Sequence, residues 1–184
     1  MPAPDPRMIE LLSYYREAEL HGASLLLRLV KLIDDPEAQI KLALHIHEET
    51  RHAWLWTKRI HDLGGAPVQV TDGYQTRIGL RTVPRSLIEL LALTLVVEER
   101  SFTRYKEHAG RPDVDEATLA ILKDVSSDEK WHMSWIRQKL FALARAEGDE
   151  SKAQAAIDKY ARIDREVYGE LKAKEVAAFG DAVA

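Results

Sequence analysis

The stretch Glu48-Glu49-Thr50-Arg51-His52 recurs 80 positions later as Asp128-Glu129-Lys130-Trp131-His132. Each copy sits inside a segment whose apolar residues step by three and four, the period of an amphipathic helix. The first copy interrupts the run Leu42, Ile46, Ala53, Trp56, Ile60 and Leu63, and the second interrupts Leu119, Leu122, Val125, Trp135, Ile136 and Leu140. Three residues turn a helix by about 300°, so the Glu and the His of each Glu-x-x-His share one face. That face is the apolar one, where charge should not be.

Two further seams carry the same anomaly. Leu11, Leu12, Tyr15, Gly22, Ala23, Leu26, Val30 and Ile33 enclose Glu19, and Leu87, Leu91, Leu95, Phe102 and Tyr105 enclose Glu98. Glu19 precedes Glu49 by 30 residues and Glu98 precedes Glu129 by 31, an internal repeat offset by 79 or 80 positions. Four carboxylates and two imidazoles, Glu19, Glu49, His52, Glu98, Glu129 and His132, thus converge in the middle of a bundle. An unpaired buried carboxylate costs several kcal/mol, and no Lys or Arg occupies these seam positions. Two divalent cations would balance the four negative charges. Gly22 and Ser101, three residues after each lone Glu, leave space beside them.

Proline and glycine punctuate the helices. Pro2, Pro4 and Pro6 precede the first seam, Asp34-Asp35-Pro36 separates it from the second, and Gly64-Gly65-Ala66-Pro67 ends the second. The stretch from Gly64 to Arg85 has no sustained period and is expected to be a long crossover loop, with Val68 to Val70 the sole strand candidate. Gly110-Arg111-Pro112 divides the third helix from the fourth, and Gly148 closes the fourth. A fifth amphipathic helix, with Ile157, Tyr160, Val167 and Leu171 on one side, runs from Ser151 to about Phe179. The expected fold is all-α: one domain over residues 1–184, a four-helix bundle over about 8–147 with a long crossover between its second and third helices, and an added C-terminal helix over about 151–179.

Composition narrows the function. The 184 residues are 46% apolar and 30% charged with a net charge of −4, an ordinary soluble balance that argues against coating nucleic acid. Without cysteine the chain forms no disulfide, thiolate zinc site or Cys-ligated iron–sulfur cluster, so any metal sits on His, Asp and Glu. Apolar runs such as Leu90 to Leu93 fall far short of the ~20 residues that span a bilayer. Met1 to Glu10 does not resemble a signal peptide, and a cytoplasmic location is expected.

With Glu19-Leu-His-Gly-Ala23, Glu48-Glu49-Thr-Arg-His52, Val97-Glu98-Glu99-Arg-Ser101 with Tyr105, and Asp128-Glu129-Lys-Trp-His132, the sequence resembles the ferritin-like di-iron carboxylate superfamily over about residues 8–147. The finer likeness is to aldehyde-deformylating oxygenases and their rubrerythrin relatives, without the Cys-ligated iron domain of complete rubrerythrins. The resemblance implies two metal ions, iron first and manganese or a mixed Mn/Fe pair as alternatives, bridged by Glu49 and Glu129 and held terminally by Glu19, Glu98, His52 and His132. It implies an oxidoreductase activating dioxygen or peroxide, with an unknown small-molecule substrate and electrons from that substrate or a separate donor. Competing readings are a ferroxidase, iron-storage or metal-binding protein without an organic substrate, and a metal-free helical interaction domain. A monomer or homodimer is expected, the fifth helix covering its own bundle or a partner's.

Several positions have simpler readings. Glu17 rivals Glu19 and Glu99 rivals Glu98 as ligands. His45 shares a face with Glu49 and His52 and reads as a core or pocket histidine, whereas His21, His47, His61 and His108 read as surface residues. Trp54, Trp56, Trp131 and Trp135 read as packing around the two motifs. The resemblance suggests that Asp128 and Glu48 hydrogen-bond the non-ligating histidine nitrogens. Arg77, Arg81 and Arg85 with Tyr74 make the crossover locally basic.

Overall fold

The computed structural model describes residues 5–179, with side chains through residue 173. Pro2, Pro4 and residues 180–184 lie outside the described residues. Six helices follow in order: α1 (Pro6–Val30), α2 (Pro36–Asp62), α3 (Tyr74–Arg81), α4 (Leu87–Ala109), α5 (Glu116–Ala146) and α6 (Ser151–Phe179). The fold is all-α, and the described residues contain no strand, Val68 to Val70 included.

Helix starts follow from local chemistry. Asp5, Asp35, Ser86 and Asp115 accept from the backbone N–H groups of Arg7, Glu37, Glu89 and Thr118, satisfying donors that have no partner inside the helix. Pro6 and Pro36 stand at the start of their helices, where a missing N–H costs nothing. Beyond the ends of α2 and α5 the chain turns through Gly64 and Gly148, whose φ values of 83° and 79° disfavour any side chain.

Long hairpins α1–α2 and α4–α5 pack into a bundle, joined mainly through α2 and α5, while α6 lies against α4, α3 and α5. The crossover is not wholly irregular. Tyr74 and Ile78, one turn apart on α3, are buried, and the Tyr74 hydroxyl donates to Asp164 of α6 at 2.7 Å. Arg77 and Arg81 reach Glu170 of α6, and Arg77 also pairs with Asp72. Eight residues are too short to reveal a helical period amid Gly73 and Gly79, and docking onto α6 supplies what local propensity lacks. The basic crossover therefore has acidic partners in its own chain.

The apolar core is divided. Leu26, Leu42, Leu91, Leu95, Ile136 and Leu140 belong to one buried cluster, extended by Tyr160 and Val167 of α6. Leu12, Tyr15, Trp56, Ile60, Tyr105, Leu122 and Val125 form the other. The charged seam residues lie between these two plugs, which keep water from them.

Candidate metal centre

Glu19 of α1, His45, Glu49 and His52 of α2, Glu98 of α4, and Glu129 and His132 of α5 are all buried, none more than 4% exposed. Their donor atoms form two groups of four, each within 4.8 Å of one another: Glu19, Glu49, His52 and Glu129, and His45, Glu49, Glu98 and His132. Glu49 belongs to both. His52 Nδ1 lies 3.4 Å from Glu19 and 4.0 Å from Glu129, and His132 Nδ1 lies 3.5 Å from Glu49 and 3.4 Å from Glu129. The six residues selected from the sequence are thus brought together. Glu17 instead lies beside Arg16 and His21, and Glu99 accepts from Arg137.

The opposite ring nitrogens are held in a crossed pattern. Asp128 of α5 takes His52 Nε2 at 3.1 Å, and Glu48 of α2 takes His132 Nε2 at 2.9 Å. An ionised carboxylate only accepts, so each Nε2–H donates outward and each Nδ1 faces the cluster. Arg51 anchors Asp128 at 2.5 Å and Asp124 at 2.7 Å. On the inner side, the Tyr105 hydroxyl donates to Glu19.

The electrostatics describe a site short of positive charge. Burial, and then the charges of Glu98 and Glu19, push the Glu49 and Glu129 carboxyls well above the usual carboxylate range. Burial also opposes ionisation of Glu98, but the nearby imidazoles of His45, 3.4 Å away, and then of His132 outweigh it and hold Glu98 down at about 2. His132 is lowered to about 3 by burial and by His45, against the pull of Glu98. For His52 burial acts downward, and the adjacent Glu19 carboxylate overrides it to raise the value. Glu49 Oε1, Glu129 Oε1, His52 Nδ1 and His45 Nε2 are buried without a hydrogen-bond partner. Buried polar atoms normally find one, and carboxylate and imidazole donors facing one another around such atoms fit divalent metal ions.

Space beside the cluster is shaped on one side by Gly22, where a Cβ would overlap Glu49 Oε2. Behind Gly22 a crevice of about 310 Å³ opens between α1, α3 and α4, walled by Leu25, Ile78, Leu90, Leu93 and Val97. Ser101 lines a different, narrow cleft with Ala18, Tyr74 and Tyr105, so the matching position in the second half has another use.

Two sequence readings need correction. His108 is buried at 4% exposure rather than superficial; it bonds the Tyr15 hydroxyl at 3.2 Å, and burial lowers it to about 4. Trp54 is 59% exposed and does not pack around the motif as Trp56, Trp131 and Trp135 do. His45 is a core histidine as expected, fully buried, and its Nε2 stands 3.4 Å from both Glu49 and Glu98. The signal for His45 was its position one turn before Glu49 on the same seam.

Neither a protein-family model nor a curated protein matches the chain. Among solved structures, it is similar to a dodecameric thioferritin, the bacterioferritin-related protein from Bacteroides fragilis, with a TM-score of 0.64 and 22% identity over 79% of this chain and 92% of that one. The fold is therefore ferritin-like, and its buried Glu and His residues form two groups that could hold metal ions. No helix among the described residues is long and apolar enough to cross a membrane.

Proposed function

We propose that this protein binds two ferrous ions at the buried cluster and oxidises them with dioxygen or peroxide, iron itself being the substrate. The observation that carries the reading is the pair of four-donor groups sharing Glu49, with Glu49 Oε1, His52 Nδ1 and Glu129 Oε1 left without hydrogen-bond partners. Glu19 and His52 would hold one ion and Glu98 and His132 the other, with Glu49 and Glu129 shared. Bound ferrous iron supplies the electrons: two ions release two, which with two protons convert dioxygen to hydrogen peroxide, or peroxide to two waters.

The chain's own groups have distinct tasks. Asp128 and Glu48 keep the rings of His52 and His132 turned with Nδ1 inward. The two apolar plugs exclude water, which strengthens the attraction between the carboxylates and a cation. Glu49 and Glu129, whose carboxyls resist ionisation while no cation is near, release protons when metal enters. Manganese or a mixed pair would satisfy the same donors. The likeness to a dodecameric thioferritin supports iron handling and an assembly of several copies.

A second reading, an oxidoreductase acting on a small organic substrate with a separate electron donor, is favoured by the crevice that ends at Gly22. Anaerobic ferrous titration followed by oxygen, watched by absorption spectroscopy and light scattering, separates the two. Ferric absorption with oxygen consumption, and uptake running far past two irons per chain in a large particle, is expected if iron is the substrate. Uptake saturating at two in a monomer or dimer would transfer support to the second reading. Iron oxidised no faster than in protein-free buffer would contradict both.

A further inference from the structure

The outer side of the α1–α2 hairpin carries a pattern that its own chain leaves uncovered. On α1 the outward stripe is Glu17, Leu20, Ser24, Leu27 and Lys31, and on α2 it is Ile40, Ala43, His47, Thr50 and Trp54. Both advance by three, four, three and four residues, the spacing of a seam between packed helices, yet both lie opposite the buried sides of their helices. Leu20, Leu27, Ile40 and Trp54 are 37, 53, 72 and 59% exposed. The added helix α6 does not cover them, because it lies against α4, α3 and α5.

Each stripe also has a centre. On α1 the two leucines flank Ser24, and the carboxylate of Glu17 stands as far before it as the ammonium of Lys31 stands after it. On α2 Ile40 and Trp54 stand equally far on either side of His47. The two centres are level. Glu19 meets His52 at 3.4 Å, which sets Ser24 beside residue 47, and Arg16 meets Thr57 at 3.0 Å, which sets it beside residue 49. The difference of two residues is about 3 Å along the helix.

We infer that this face binds a second copy of the chain about a two-fold axis passing Ser24 and His47, each helix lying antiparallel to the same helix of the partner. A two-fold contact joins one patch to itself, so position i meets j and j meets i, and one axis serves both helices only if their centres are level. The charges fit that pairing: Glu17 comes opposite Lys31 of the partner subunit, twice per dimer, and the leucines meet between them. A parallel pairing of the same stripe would oppose like charges. Within its own chain Lys31 has no carboxylate partner among the described residues, while Glu17 keeps Arg16 at 3.8 Å and His21 at 3.6 Å. The inference concerns the surface alone and does not depend on the metal reading.

The chain has no cysteine, so introduced thiols report the register without interference. After oxidation, Leu20→Cys/Leu27→Cys is expected to run as a covalent dimer under denaturing conditions. Either single variant should stay uncrosslinked, because identical positions lie about 10 Å apart along the antiparallel pair, as do the two positions within one chain. Single variants that crosslink as readily as the double would overturn the register. Light scattering of the wild-type protein at about 10 µM should give a dimer or a multiple of it, and a monomer would overturn the inference. Leu27→Glu/Trp54→Glu, both at exposed positions, should keep its helical circular dichroism and fall to half the particle mass or less; an unchanged mass would place the contact elsewhere. Glu17→Lys and Lys31→Glu should each raise the dissociation constant about tenfold, and the two combined should restore it to within about threefold. A combined variant no tighter than the singles would contradict the antiparallel pairing. A dimer that behaves in all these ways but binds no metal would sink the metal reading and leave this one standing.

Discussion

At the scale of single residues, the centre depends on a side chain that is missing. Gly22 sits in a helix interior, where glycine costs up to about 1 kcal/mol relative to alanine, and Glu49 fills the space it leaves. Gly22→Ala is therefore expected to fold, with metal-free stability equal or slightly raised, while the displaced Glu49 carboxylate weakens metal binding by roughly 10- to 100-fold. Thermal melts of the metal-free protein and calorimetric metal titration measure the two effects separately. Unchanged metal affinity would mean that Glu49 does not bind in the position Gly22 allows. The six proposed ligands were legible because each is a charge on an apolar seam. The contact of Trp135 with His45 and the burial of His108 were not, since both depend on partners 90 and 93 residues away, Trp135 and Tyr15.

At the scale of elements, α6 is attached to the bundle by a polar clamp as well as by its apolar face. Asp164 accepts from the Tyr74 hydroxyl on α3 and from two guanidinium nitrogens of Arg100 on α4, at 2.7, 2.9 and 2.6 Å. Asp164→Ala would strand a largely buried guanidinium and a buried phenol, and should cost about 3 kcal/mol in urea unfolding. Because α6 supplies none of the cluster residues, metal stoichiometry should not change. A parallel loss of metal would mean that the clamp also sets the spacing of α4 in the bundle. Long seams such as Leu42 to Leu63 announced their helices through repeated periods. The eight residues of α3 offered only the pair Tyr74 and Ile78, and their helix is fixed by Asp164 and Glu170, far away in the chain.

At the scale of the whole molecule, stability, pH and metal are linked. Glu49 and Glu129 have raised values in the folded metal-free protein, so the folded state binds more protons than the unfolded one. Their contribution to stability is fully present below the ordinary carboxyl value of 4.5 and is lost as pH rises through the folded values. Metal replaces those protons, and its stabilising increment should accordingly be larger near about pH 7.5 than near about pH 5.5. Two ions, each present at 100 times its dissociation constant, would add about 5 kcal/mol, or roughly 10 °C or more in melting temperature. Glu129→Ala should lose most of that increment, whereas Glu170→Ala, on α6 where it pairs with Arg77 and Arg81 and away from the cluster, should keep it. The central claim is a two-metal centre built from six side chains, and elemental analysis after anaerobic iron loading tests it most directly: two irons per chain are expected in the wild-type protein and fewer in Glu129→Ala, while a single tight iron with none gained on loading, or two irons in both proteins, would contradict it.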